Sequence, residues 1–346
     1  MRDQPCSVAR MKNVAPVRVL LLAAFLLAYP ITKSEAEPLR VAVISDLNGS
    51  YGSTDYSATV DSAVDRILAL RPDLVISTGD MVAGQRIPHL ATGEVAAMWQ
   101  AFHTHVSDRI QQAGIPLAVT PGNHDASAYQ GFEDERQMYG EQWRRRRPDL
   151  SFVDNSGYPY HYAFAMGEVL FISLDVTVTG ELPRAQKNWL AAVLAEHGPK
   201  YRQRIVFSHV PLWPFANGRE TEVSGDRELE ALLQDAGVGM YLSGHHQAFY
   251  PGHKGGIYYV SLACLGSGPR VLIGDSVRSG RSLALLEITG PDLRLAALSA
   301  PGFTRAIEWQ DLPPQIVTEA AVLSRADLVE NPIGKLDPHR SPDPIP

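Results

Sequence analysis

Five short apolar runs in this chain each end in a polar cluster, and that pattern limits the fold more than any other feature of the sequence. Leu39 to Ser45 runs into Asp46, Leu74 to Ser77 into Gly79-Asp80, and Ile115 to Val119 into Thr120-Pro121-Gly122-Asn123-His124-Asp125. Ile205 to Phe207 ends at Ser208-His209-Val210-Pro211, and Val238 to Leu242 at Ser243-Gly244-His245-His246-Gln247. Runs this short read as buried strands, while the stretch from Ser57 to Leu70 has helical spacing at Val60, Val64, Ile67 and Leu68. Further helices are expected from about Gly93 to Ala113, over 126–148, from Pro183 to Glu196 and from Glu228 to Asp235. Tyr160 to Phe164 and Val169 to Leu174 read as paired strands, and Ile257 to Leu262, Ser282 to Ile288 and Leu293 to Leu298 as antiparallel strands finishing a sheet. Alternation of this kind predicts an α/β layered fold with its chemistry at strand ends.

The residues at those ends are two aspartates, an asparagine and several histidines. Carboxylates, amide oxygens and neutral imidazoles are ligands for divalent ions, and rigid strand termini hold them with little ordering cost. Each element alone is weak evidence, because a Gly-Asp pair is common and a lone histidine usually packs structurally. In this order, each beyond a strand, they point to a two-metal hydrolase, with Asp80 placed to bridge the ions. Other polar residues take plainer readings. His103 and His105, two apart on a helix, do not share a face, and Arg144 to Arg147 reads as a solvated surface. The loop from Asn48 to Ser53 lies beside the metals, where it can shape substrate access.

On Gly122-Asn123-His124-Asp125, supported by Gly79-Asp80, Ser208-His209, Ser243-Gly244-His245 and Leu174-Asp175 followed by Gln186, Trp189 and Leu190, the chain resembles the calcineurin-like metallophosphoesterases over roughly 38–265. That group includes the purple acid phosphatases. The resemblance implies a four-layer αββα sandwich, two mixed sheets flanked by helices, and a dimetal centre whose bridging hydroxide attacks a phosphate ester. It implies that Asp46 binds the first metal, Asp80 bridges, and Asn123, His209 and His245 complete the second. His124 would protonate the leaving group, with Asp125 orienting its imidazole, and Asn123, His124 and His161 would contact substrate. Two departures fall on the first metal: Asn48 and Gln247 stand where the family usually has histidines. As ligands they would bring amide oxygens, shifting that site toward harder ions or weakening it. The ions expected are two, from among Mn, Fe, Zn, Mg and Ca. His246 is a less favoured substitute ligand, and Ala83 occupies the position of the purple acid phosphatase tyrosine. A non-catalytic phosphate or nucleotide binder on the same fold is the alternative, and the choice between monoester and diester stays open.

Arg10, Lys12 and Arg18 precede an apolar run from Val19 to Tyr29 and a Ser34-Glu35-Ala36 cleavage pattern, which reads as a signal peptide over 1–36. The expected protein is therefore exported, periplasmic or extracellular, with no stable membrane anchor after cleavage. Removing 1–36 takes the net charge from −7 to −10, which disfavours a nucleic-acid surface and leaves a small phosphorylated substrate to be met by local metal charge. Cysteines at 6 and 264 are too few for a thiolate zinc site. The metallophosphoesterase domain is expected over 37–300, followed by a C-terminal extension over 301–346 that is disordered from about Asn331 on its proline content. The sequence leaves oligomeric state open.

Overall fold

Val41 and Val43 point to one side of their strand and Ala42 and Ile44 to the other, and all four are buried, so this strand has apolar layers on both faces. That is the plan of the whole molecule. In this computed structural model the described residues are Met1, 37–266 and 268–337. The signal-peptide expectation for 1–36 and the tail over 338–346 lie outside the described residues.

The strands are Leu39–Ile44 (β1), Leu74–Ser77 (β2), Leu117–Val119 (β3), Ser151–Gly157 (β4), His161–Met166 (β5), Val169–Ser173 (β6), Gln203–Ser208 (β7) and Met240–Ser243 (β8). They continue with Tyr250–Lys254 (β9), Ile257–Ser261 (β10), Ser282–Thr289 (β11), Asp292–Ser299 (β12), Arg305–Ala306 (β13), Gln315–Val317 (β14), Val322–Arg325 (β15) and Gly334–Lys335 (β16). One sheet runs β13-β12-β11-β1-β2-β3, with β16 beside β12, and the other β14-β15-β9-β10-β8-β7-β6-β5-β4. β1, β2 and β3 are parallel, as are β6, β7, β8 and β10, and the outer strands pair mainly antiparallel, so both sheets are mixed.

Three apolar layers separate four layers of structure. Val43, Ile76, Phe171, Phe207 and Leu286 fill the space between the sheets. Ile44 and Leu117 face the helices Ala58–Leu70 and Thr92–Phe102, and Ile172 and Val206 face Arg184–His197 and Arg227–Asp235. This is the αββα sandwich. Because neighbouring strands run parallel, β1, β2 and β3 in one sheet and β7 and β8 in the other deliver their carboxyl ends to a common edge, the usual place for a ligand in α/β sheets.

The structure corrects the sequence in three places. The helix expected over 126–148 is two pieces, Asn123–Ala126 and Glu133–Arg145, separated by a loop containing Gly131 in the left-handed region. The residues after 300 are not a separate extension, since β13 joins one sheet and β14 and β15 the other, with Phe303, Trp309, Ile316 and Leu323 buried. Order persists past Asn331, where β16 pairs with β12 and buries Ile333 and Leu336, two apolar anchors outweighed in the sequence by the surrounding prolines. No described helix is long and apolar enough to cross a membrane.

Candidate metal centre

Asp46 and Asp80 leave β1 and β2 with φ of 50° and 55°, and His245 and Gln247 follow β8 at 64° and 52°. Left-handed backbone at non-glycine residues costs about 1–3 kcal/mol each, so the surrounding structure must hold four strained residues in one place. Part of that hold is close packing of main chain. A Cβ at Gly122 would overlap the Asp80 nitrogen and carboxylate, and one at Gly244 would overlap Ser45 Oγ and crowd Asp46 Oδ2. Glycine in Gly122-Asn123-His124-Asp125 and in Gly244-His245 therefore lets the loops touch.

His209 lies at the centre of the resulting cluster. Its Nδ1 donates to the Thr78 carbonyl at 2.8 Å, which turns Nε2 toward Asn123 Oδ1 at 2.9 Å and Asp80 Oδ2 at 3.2 Å. Asn123 Nδ2 donates to Gln85 Oε1 at 2.6 Å, fixing which end of the amide faces His209. A neutral His209 would thus aim a lone pair at two oxygen acceptors, an arrangement that needs a cation in its midst. Burial opposes the imidazolium, but the Asp80 carboxylate drives His209 up to about 9, so a proton is drawn to the same spot. Burial also opposes the Asp80 carboxylate, yet His209 and His124 hold it below the usual carboxylate range. His245 completes the group: one ligand atom from each of Asp80, His209 and His245 lies within 4.8 Å of the others. Burial, then His209, pushes His245 down to about 3, so its imidazole is neutral, as a ligand requires.

The first-metal side is built differently. Asp46 Oδ2 accepts from Ser45 Oγ at 2.6 Å and from the His245 N–H at 3.1 Å. Asn48 Oδ1 is buried with no hydrogen-bond partner, an orphan acceptor that fits a cation. Gln247 instead donates its Nε2 to Asp46 Oδ1 at 3.2 Å. It supports the carboxylate where the sequence suggested an oxygen ligand, because its left-handed backbone brings the amide nitrogen onto Asp46.

Two further expectations change, while His246 keeps to the non-ligand reading the sequence favoured. Asp125 does not touch the His124 ring: its carboxylate accepts the N–H groups of Met81 at 2.8 Å and of Val82 and Gly122 at 2.9 Å, clamping two site loops together. The His124 imidazole is oriented by the Gly84 carbonyl, to which Nδ1 donates at 2.9 Å, leaving Nε2 at 3.9 Å from Asp80 Oδ2. His161 packs edge-on against Trp189, with 4.6 Å between ring centroids, and does not line the cleft. His246 is spent on structure, accepting from the Phe215 N–H and donating to the Glu222 carbonyl at 3.0 Å each.

The cleft encloses about 520 Å³ and includes residues that no motif flagged. Tyr51 sits 5.2 Å from the His124 ring, Gln85 braces Asn123, and Glu222 Oε2 is 3.1 Å from His245 Nε2. Only the 48–53 loop gave any sequence signal for these.

Residues 39–248, well over half of the chain, match the family model of calcineurin-like phosphoesterases. The chain belongs to that family. This calcineurin-like phosphoesterase is 24% identical over 267 residues to purple acid phosphatase 15 of Arabidopsis thaliana, across 71% of its own length and 46% of the relative's. A purple acid phosphatase from yellow lupin (Lupinus luteus) seeds has a similar fold, with a TM-score of 0.57 at 17% identity, covering 76% of this chain and 52% of that one. A dimetal phosphatase from Danio rerio gives 0.53 at 14% identity over 75% of this chain and 96% of its own. The chain thus spans about half the length of the two plant relatives.

Proposed function

We propose that this protein is an exported, metal-dependent phosphoesterase acting on small phosphorylated substrates. The observation that carries the reading is the convergence of Asp80 Oδ2 and Asn123 Oδ1 on His209 Nε2, with His245 beside them. Asp80, Asn123, His209 and His245 would hold one ion, and Asp46, Asp80 and the orphan oxygen of Asn48 a second, weaker one. Held by these residues, divalent ions would supply positive charge for the phosphate and would acidify a water.

The chain's own residues supply the remainder. Thr78 and Gln85 fix His209 and Asn123, so the ligand atoms are oriented before metal or substrate arrives. With Nδ1 held by Gly84, His124 has Nε2 as the atom able to carry a proton to the departing alkoxide. Tyr51 beside that ring narrows the cleft around the leaving group. The purple acid phosphatase relatives and the dimetal phosphatase neighbour support the reaction class, and the apolar run from Val19 to Tyr29 supports export.

The test is hydrolysis of paired chromogenic phosphate mono- and diesters by the protein loaded in turn with several divalent ions, with Asp80→Ala as control. Metal-dependent turnover abolished in the control is expected. A folded protein that binds phosphate but turns over neither ester with any ion would replace this reading with that of a binding protein.

A further inference from the structure

One wall of the cleft carries a group of arginines that the mechanism above leaves unused. Arg219, Arg270 and Arg278 all line it, in a chain of net charge −7. They arrive on two loops, 209–226 after β7 and 262–281 after β10. The loops are joined by main chain: Asn217 N–H donates to the Val271 carbonyl and Ile273 N–H to the Phe215 carbonyl, each at 2.9 Å, and Ala216 pairs with Leu272. The guanidinium-bearing backbone is therefore set before a ligand arrives.

The three arginines differ in what they touch. Arg219 pairs with Glu222, whose Oε2 is 3.1 Å from His245 Nε2, so it stands one carboxylate away from the metal ligands. Arg270 has no carboxylate partner among the described residues, and its Nε is buried without a hydrogen bond. Arg278, paired across a bridge with Val271, is exposed at the rim. Arg219 and Arg270 repel one another, and burial together with that repulsion lowers the Arg219 pKa. Two neighbouring guanidinium ions, of which Arg219 alone has a carboxylate partner among the described residues, are relieved by an oxyanion between them, which a planar fork can bind in bidentate fashion. If the metals take the scissile phosphate, the cleft wall from Arg219 through Arg270 to the exposed Arg278 still holds positive charge for a further oxyanion.

We infer that Arg219 and Arg270 bind a second oxyanion of the substrate. The preferred substrates are then phosphate esters whose leaving group carries a further phosphate or carboxylate. This rests on the phosphoesterase reading above and adds a substrate class to it.

The experiment uses the full chain loaded with Mn²⁺ and three matched substrates: glycerol 3-phosphate, 3-phosphoglycerate and 2,3-bisphosphoglycerate. Wild-type kcat/KM should be higher for the two with an anionic leaving group. Arg270→Gln should lower kcat/KM for those two about 10- to 100-fold more than for glycerol 3-phosphate, and Arg270→Lys should restore part of it. A similar loss on the two identifies the second group as the carboxylate that both carry, and a larger loss on 2,3-bisphosphoglycerate identifies it as phosphate. Equal loss on all three, or none, would overturn the inference.

A binding measurement separates this from the catalytic reading. In the Mn²⁺-loaded protein, methylenediphosphonate should bind more tightly than methylphosphonate by calorimetry, and Arg270→Gln should remove about tenfold of that difference. If no substrate is turned over but this difference persists, the phosphoesterase reading falls and the arginine site stands. If Arg270→Gln leaves the difference intact, the arginine site falls, whatever the turnover.

Discussion

Replacing Asp125 separates two roles that the sequence cannot tell apart. Its carboxylate, 1% exposed, accepts three backbone N–H groups, from Met81, Val82 and Gly122. Asp125→Ala leaves those three donors buried without partners, at about 1–3 kcal/mol each before any relaxation or water penetration. A combined loss of about 3–5 kcal/mol is expected. Asp125→Asn is milder. Its amide oxygen can keep the Met81 and Val82 bonds that share Oδ1, while its NH₂ opposes the Gly122 N–H, so one bond is lost, at about 2–3 kcal/mol. Urea unfolding of the metal-free protein gives the readout. With an m-value of about 3 kcal/mol/M, the alanine variant should lose about 1 M or more in midpoint and the asparagine variant somewhat less, with m unchanged. An unchanged midpoint accompanied by a large fall in kcat would refute the clamp and return Asp125 to the imidazole-orienting role.

Two other variants test parts of the structure that do not depend on that clamp. Asn48→His combined with Gln247→His puts nitrogen donors at the first site, in place of an orphan oxygen and an amide that donates to Asp46; metal retained after dialysis should correspond to about tenfold tighter binding, and unchanged content would count against it. His103 is buried between Ser107 Oγ and Gln142 Oε1, and burial, then Arg146, pushes it down to about 4. A histidine whose folded pKa lies below its unfolded value of about 6.5 is destabilising when protonated, so its contribution is intact above pH 6.5 and lost as pH falls toward 4, by at most about 3 kcal/mol. His103→Gln should flatten the acid side of the stability profile by up to that amount; an unaltered profile would show that His103 does not titrate there.

The strand ends were legible because their signals are local. Apolar runs mark β1, β2, β3, β7 and β8, and the parallel pairing of those strands makes successive polar clusters neighbours in space. Gly122 and Gly244 were visible as motif members, although only the packing shows that each lets one loop touch another. The irregular, half-exposed β4 and the strands after 300 were missed, since their apolar residues are sparse or masked by proline and their burial depends on the sheets they join.

The sequence by itself determined the α/β layering, the family, and Asp46, Asp80, Asn123, His124, His209 and His245 as the residues that meet at one edge. The tertiary structure decided which atom each residue presents and what shares the cleft with it. Asp125 holds backbone and Gln247 holds Asp46; Gly84, 40 residues from His124, orients its ring. Glu222, Arg219 and Arg270 reach the cleft on loops joined by hydrogen bonds across more than 50 residues. A strand end is fixed by periodicity within a few residues of itself, whereas a hydrogen-bond partner or a charged wall is fixed by the packing of distant segments, which leaves no local pattern in the chain.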